Sequence, residues 1–303
     1  MTEPNAFSPT LCTTGWSEEW KRLQAARRVS DDPARWNERA RSYGGKRRHS
    51  AYAARFIELM GLRPGETLLD MGCGTGAIAI PAAEAGHRVI ARDFSRAMLD
   101  ELERQAAEAG VAGIDVDVMS WTEDWNARGI TANCADVAAA SRSIGTLDMR
   151  DSFERLTRVA RRRACITLPT GPSPRSDERI LDELGLLDEL GRDYLYAFAI
   201  LVQMGLHPEV SYIESVRDDS YADAQEAYES LEGMILSTAG AAADKTRVAR
   251  ALDDLRSWLP DNLVENERAG EPDEDGAPRK ALRLRRRRMT RWAFISWNTE
   301  KRS

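Results

Sequence analysis

Between Thr67 and Ser95 the chain reads TLLDMGCGTGAIAIPAAEAGHRVIARDFS, and no other stretch constrains the fold as strongly. Thr67-Leu68-Leu69 is a short apolar run closed by a turn, as expected of a strand buried on both faces of a parallel sheet. Gly72, Gly74 and Gly76 follow Asp70 at alternate positions. Glycines there permit a tight turn and let a ligand approach main-chain N–H groups with no Cβ in the way. The stretch from Ala77 predicts a helix ending at Gly86, and residues 87–91 predict the next strand. Asp93 lies 23 residues after Asp70, about the spacing at which an acid meets ribose hydroxyls in a βαβ nucleoside site.

The glycine spacing leaves two kinds of nucleoside open. Gly72, Gly74 and Ala77 satisfy the dinucleotide pattern G-x-G-x-x-G/A loosely, which would hold a pyrophosphate at a helix N-terminus and make an NAD(P)- or FAD-linked oxidoreductase. Against it, the third glycine is Gly76, an acid precedes the first glycine, and Asp93-Phe94-Ser95 opens the following helix. Together LLDMGCGTG and ARDFSRAML resemble the first two motifs of the class I S-adenosylmethionine (SAM) dependent methyltransferases, specifically over residues 67–102 and loosely over 36–169. The resemblance implies SAM as cofactor: the loop of Asp70, Gly72, Cys73, Gly74 and Gly76 holding the methionine moiety, Asp93 and Phe94 at the ribose, and Ser120 and Trp121 at the adenine. Ser120 stands where that family commonly has an acidic or small polar residue. Trp121 either flanks the adenine or covers the sheet edge.

Composition narrows the class of protein. The chain has 303 residues, 42% hydrophobic and 30% charged, an ordinary globular balance. No run approaches the roughly 20 apolar residues of a membrane span, and the polar N-terminus lacks a signal-peptide core; the expectation is a cytoplasmic protein with no membrane association. Cys12, Cys73, Cys134 and Cys165 lack C-x-x-C spacing, so no zinc site or disulfide framework is indicated. A net charge of −6 argues against nucleic acid as the main partner. The basic run RKALRLRRRRMTR at residues 279–291 is expected to be the exposed start of a strand, since Leu282 and Leu284 alternate with arginines.

Around the motif the chain predicts a Rossmann-like α/β fold. The resemblance implies a seven-stranded sheet with the last strand antiparallel, and the chain adds helices N-terminal to it and an inserted helical cap. Residues 1–45 form an N-terminal helical lid: a helix over 13–28 with Trp16, Trp20 and Leu23 on one face and Ser17 as N-cap, another starting at Asp32-Pro33, and Tyr43 and Tyr52 as candidate lid aromatics. Residues 46–303 form the main domain. The connection before the final strand is too long for a turn, and its segment 219–268, helical over 221–259 with a stop at Pro260, is read as a cap.

Methyl transfer from a sulfonium asks the protein mainly to orient the nucleophile and exclude water. Ser141 and Arg142, leaving strand four, would face the acceptor, because ligands bind beyond the carboxyl ends of strands in such sheets. Arg142 would grip an acceptor carboxylate or phosphate, or pair with Asp148. Strand four lacks the Asn/Asp-Pro-Pro-aromatic motif of amino-directed nucleobase enzymes, and neither Cys134 nor Cys165 follows a proline. The expected acceptor is therefore a small molecule, its pocket walled by Tyr194, Tyr196, Phe198, Met204, Tyr221, Tyr228 and Met234. Tyr194, Tyr196, His207 and Glu214 are the candidate general bases. A protein that binds SAM without turnover is the other alternative.

Overall fold

The computed structural model describes residues 15–27, 36–37, 50–171, 176–186, 193–217, 219–239, 245–273 and 277–299. The helix expected from Asp32-Pro33, Tyr43 and most of the loop 170–175 lie outside them. Helices α1 (Trp16–Arg27) and α2 (Ala51–Met60) precede β1 (Thr67–Met71), α3 (Ala79–Glu84), β2 (Arg88–Asp93), α4 (Arg96–Glu108), β3 (Ile114–Val118) and β4 (Ala135–Ala140). Next come α5 (Met149–Val159), β5 (Ala160–Pro169), α6 (Glu178–Glu183), α7 (Asp193–Gln203) and β6 (Glu209–Arg217). The chain closes with α8 (Ala224–Ala239), α9 (Lys245–Asn262), β7 (Leu263–Glu265), β8 (Leu282–Leu284) and β9 (Arg288–Asn298).

Seven strands form one sheet in the order β3-β2-β1-β4-β5-β9-β6. Strands β1 to β5 are mutually parallel, and β9 runs antiparallel between β5 and β6. The carboxyl ends of β1 to β6 therefore share one edge of the sheet, and β1 is flanked by β2 and β4, the point where strand order reverses. That is where a ligand crevice opens in a doubly wound sheet.

Helices cover both faces. On one, α2, α3 and α4 pack Phe56, Leu99 and Leu102 over Leu68, Val89 and Phe294. On the other, α1, α5 and α7 pack Trp20, Phe153, Leu156 and Ile200 over Leu69, Ile166 and Trp297. Complete burial of Phe153 stabilises the domain by about 1.5–3 kcal/mol. Helix starts follow local chemistry: the hydroxyls of Ser50 and Ser95 and the carboxylate of Asp148 accept N–H bonds from Ala53, Met98 and Asp151.

Several local expectations change. Helix α1 begins at Trp16, so Ser17 lies inside it rather than at its cap. Tyr196 packs 5.6 Å from Trp16 and 5.8 Å from Trp20, and Tyr194 and Met204 join the same core, so these three fill the sheet face instead of an acceptor pocket. Phe198 is exposed. Pro260 does not end α9, which continues to Asn262. The basic run is not the start of one strand. Leu282 to Leu284 form β8, paired with β7 in a separate two-stranded sheet, while Arg279 and Arg288 are buried.

Helices α6, α8 and α9 with β7 and β8 share a third core built on Ile180, Leu231, Ile235, Leu255 and Leu284. Tyr221 and Met234 are buried within it and Tyr228 packs against it. The unit thus reaches Leu284, past residue 268, and a bridge between Tyr221 and Leu282 closes its base. It leaves the sheet after β6 and returns at β9, with α6 arriving from β5, so it stands at the edge of the sheet where the parallel strands end.

Candidate functional site

Strand β1 delivers Asp70 to the carboxyl edge and the chain turns at once. Gly72, Gly74 and Gly76 have φ of +73°, +54° and +86°, a region costly for residues with a Cβ. At Gly72 the requirement is also steric, since a Cβ would fall 2.3 Å from Ser143 Cβ. A Cβ at Gly74 would meet nothing within 4 Å, so that side of the loop faces open space. Ser143 ties the β4 loop to the site by donating its hydroxyl to Met71 O at 2.6 Å.

Asp93, at the end of β2, closes the loop. One carboxylate oxygen accepts from Gly74 N and the other from Ser95 N, each at 2.9 Å. Phe94 beside it is half-buried. The Ser95 hydroxyl donates to Asn37 Oδ1 at 2.6 Å, which brings the N-terminal segment to this corner.

Asp70 is the anomaly of the site. It is 1% exposed, and neither oxygen has a hydrogen-bond partner among the described residues. Burial, reinforced by the Asp93 charge, pushes its carboxyl up to about 7, against partial relief from the nearby Ala79 amide and Arg142. Burial also pushes the Cys73 thiol well up, with Asp70 and Asp93 adding to it, so Cys73 is a neutral part of the wall.

Ser120 and Trp121 follow β3. Glu123 accepts from Ser120 N at 2.7 Å and so brings a carboxylate to the position where an acid was missing from the sequence. Trp121 is buried against Trp125 at 5.4 Å between ring centres, with its indole N–H unpartnered among the described residues.

Beyond β4, Ser141 and Arg142 meet three residues that sequence reasoning passed over or left undecided. Tyr52 Oη of α2 lies 2.9 Å from Ser141 Oγ and 2.7 Å from Thr167 Oγ1. Thr167 Oγ1 also accepts from Arg142 N at 3.0 Å. The Arg142 guanidinium sits 4.4 Å over the Tyr52 ring and 5.9 Å from that of Trp292, a cation–π arrangement. Arg142 itself has φ +59°, a strain that structures tend to keep at functional positions. Among the described residues it forms no ion pair. The Asp148 alternative fails because Asp148 instead holds Lys21 at 3.0 Å and caps α5. The one available sequence signal was Thr167, a lone hydroxyl inside the apolar run Ala164 to Leu168.

None of the candidate bases reaches this cluster. Tyr194 and Tyr196 lie in the face core, His207 is at the opposite, amino end of β6, and Glu214 pairs with Arg291 at 2.7 Å. Burial raises the Tyr52 phenol, which keeps it neutral.

Comparison with known proteins bears on this arrangement. Residues 68–163 match the family model described as a methyltransferase domain, the span from β1 through the first residues of β5. Over this third of the chain it is similar to the class I SAM-dependent methyltransferases. An uncharacterised protein of Haemophilus influenzae is 28% identical over 279 residues, covering 89% of this chain and 90% of the relative. Nocamycin O-methyltransferase of Saccharothrix syringae is 29% identical over 199 residues, 59% and 68% of the two chains. Among solved structures, the YcgJ protein of Bacillus subtilis aligns with a TM-score of 0.48 at 14% identity, covering 83% of this chain and 99% of that chain. Among the described residues, no helix is long and apolar enough to cross a membrane.

Proposed function

We propose that this methyltransferase moves the methyl group of SAM onto a small-molecule acceptor that carries an anionic group. The observation that supports it most is the orphaned Asp70 carboxylate, buried beside a glycine loop that opens onto free space. A buried charge is stable only when paired, and the α-ammonium of a methionine moiety is a partner of the required charge. A pyrophosphate would be repelled there, which disfavours the dinucleotide reading. Asp70, Gly72, Cys73, Gly74 and Gly76 would hold the methionine moiety, Asp93 and Phe94 the ribose, and Ser120 and Trp121, with Glu123, the adenine. When bound, SAM supplies an electrophilic methyl carbon and a neutral thioether leaving group.

This chain's own residues would do the rest. Ser141 and Arg142 face the acceptor, and Arg142, stacked on Tyr52, offers a fixed guanidinium to a carboxylate or phosphate. Tyr52 and Thr167 hold the β4 loop in place. The 1–45 segment acts as a lid: α1 touches the loop after β4 through Trp20 Nε1, which donates to Thr146 O at 2.8 Å, and Asn37 touches Ser95. The third core, at the same edge, covers the acceptor side and excludes water. None of the four candidate bases lies beside Ser141, and the acceptor atom is nucleophilic without proton removal by the protein.

Calorimetry with SAM, S-adenosylhomocysteine and NAD(P)H tests the cofactor. The expected result is tight binding of the first two and none of the third. Asp93→Ala should weaken SAM binding by about 1–3 kcal/mol through lost charge-assisted hydrogen bonds; undiminished affinity removes Asp93 from the ribose site. Labelled SAM incubated with metabolite extracts should yield a methylated small anion, whereas binding without any turnover would favour a SAM sensor.

A further inference from the structure

Strand β6 is the last strand of the sheet, and among the described residues nothing pairs with its outer edge. Its register with β9 is unbroken over all nine residues, from Glu209 opposite Ser296 to Arg217 opposite Arg288. It carries no proline, lysine or bulge, the usual devices that blunt a free edge. At about 3.3 Å per residue this leaves an open hydrogen-bonding edge about 30 Å long.

The residues along that edge read EVSYIESVR. Laid antiparallel against itself about Ile213, the strand sets Glu209 against Arg217, Val210 against Val216 and Ser211 against Ser215, with Tyr212 against Glu214. Charge meets opposite charge at the two ends, valine meets valine and serine meets serine, and the Tyr212 ring lies beside the Glu214 stem. A two-fold interface requires this self-complementarity, in which residue i meets j and j meets i. Glu209 and Arg217 are themselves exposed, and among the described residues their ion-pair partners are held loosely, Arg163 at 3.7 Å and Asp219 at 3.4 Å.

The neighbouring face carries apolar surface in the right place. Val210, Tyr212 and Val216 point to the α7 side of the sheet, and Tyr212 touches Tyr194 of α7 at 6.4 Å between rings. Leu195, Phe198 and Val202 lie at i, i+3 and i+7 on α7 and are 38–49% exposed, while Tyr212 and Val216 are 48% and 57% exposed. A two-fold axis perpendicular to the sheet keeps both copies of α7 on the same side, so the two stripes meet across the axis. Scattered exposed apolar residues need no explanation, but a contiguous patch beside an open edge marks an interface.

We infer that the occupant of this edge is a second copy of the chain, with β6 pairing antiparallel to its symmetry mate about Ile213 to make a continuous fourteen-stranded sheet. Light scattering coupled to size exclusion on the full chain should give about twice 33.8 kDa. Glu209→Arg and Arg217→Glu each place like charges opposite one another twice per dimer, and each should weaken association at least about tenfold. The double variant carrying both changes should recover the dimer. So should an equimolar mixture of the two single variants, because each chain then meets its complement. Circular dichroism of each variant checks that it is folded. A monomeric wild type overturns the inference. So does a dimer indifferent to both single changes, or one that neither the double variant nor the mixture restores.

Discussion

Replacing Asp70 with Asn removes a buried carboxylate that the ligand-free protein leaves uncompensated, and its effect on stability should depend on pH. The folded-state value of about 7 stands against 3.8 for the ordinary group. Below pH 3.8 the carboxyl is neutral in both states and imposes nothing. As pH rises through the window to about 7 the unfolded chain ionises first, so stability is lost across that window and then levels off. The shift of roughly three units corresponds to about 4 kcal/mol at full development. Asp70→Asn should therefore stabilise the ligand-free protein by a few kcal/mol at pH 8 and much less at pH 5, a difference of about 2–3 kcal/mol between the two. Urea unfolding of both proteins at the two pH values measures it, and comparing the differences cancels any fixed effect of the new amide. The same variant should bind SAM more weakly than wild type at pH 8. A stability difference that does not change with pH would refute the argument, since a carboxylate already paired and ionised would behave that way.

Gly72→Ala should destabilise the fold by about 2–4 kcal/mol, because a Cβ meets Ser143 and the backbone is left-handed there; an unchanged thermal midpoint would contradict the loop geometry. Arg142→Met should raise the acceptor KM at least about tenfold while moving the SAM Kd less than threefold; loss of SAM affinity instead would assign the guanidinium to the cofactor's carboxylate. Replacing residues 219–286 by a short linker removes most of a core separate from both sheet faces, so SAM binding measured by calorimetry should survive while acceptor turnover is lost. An unfolded product would show that this unit is needed for the sheet.

The sequence by itself determined the β1–loop–α3–β2 unit, because its rules are local. Glycines at Gly72, Gly74 and Gly76 require positive φ within a few residues of one another. The apolar runs of β1, β2 and β4 can only be satisfied by a sheet covered on both faces, and Ser95 caps α4 through the Met98 amide three residues away. The alternation of strand and helix followed from the same periodicity, while the strand order is read only from the folded sheet. Tertiary structure alone decided the cluster beyond β4. Tyr52, Ser141, Arg142, Thr167 and Trp292 come from α2, β4, β5 and β9, and no spacing along the chain encodes their meeting. It also decided which aromatics are core: composition made Tyr196 a candidate pocket wall, but packing sets it against Trp16 and Trp20. The basic run was misread because alternation of leucine and arginine marks a half-buried strand without saying which partner it pairs with, and β7 is that partner. Local patterns specify what a segment becomes; which surfaces meet is set by burying all of them at once.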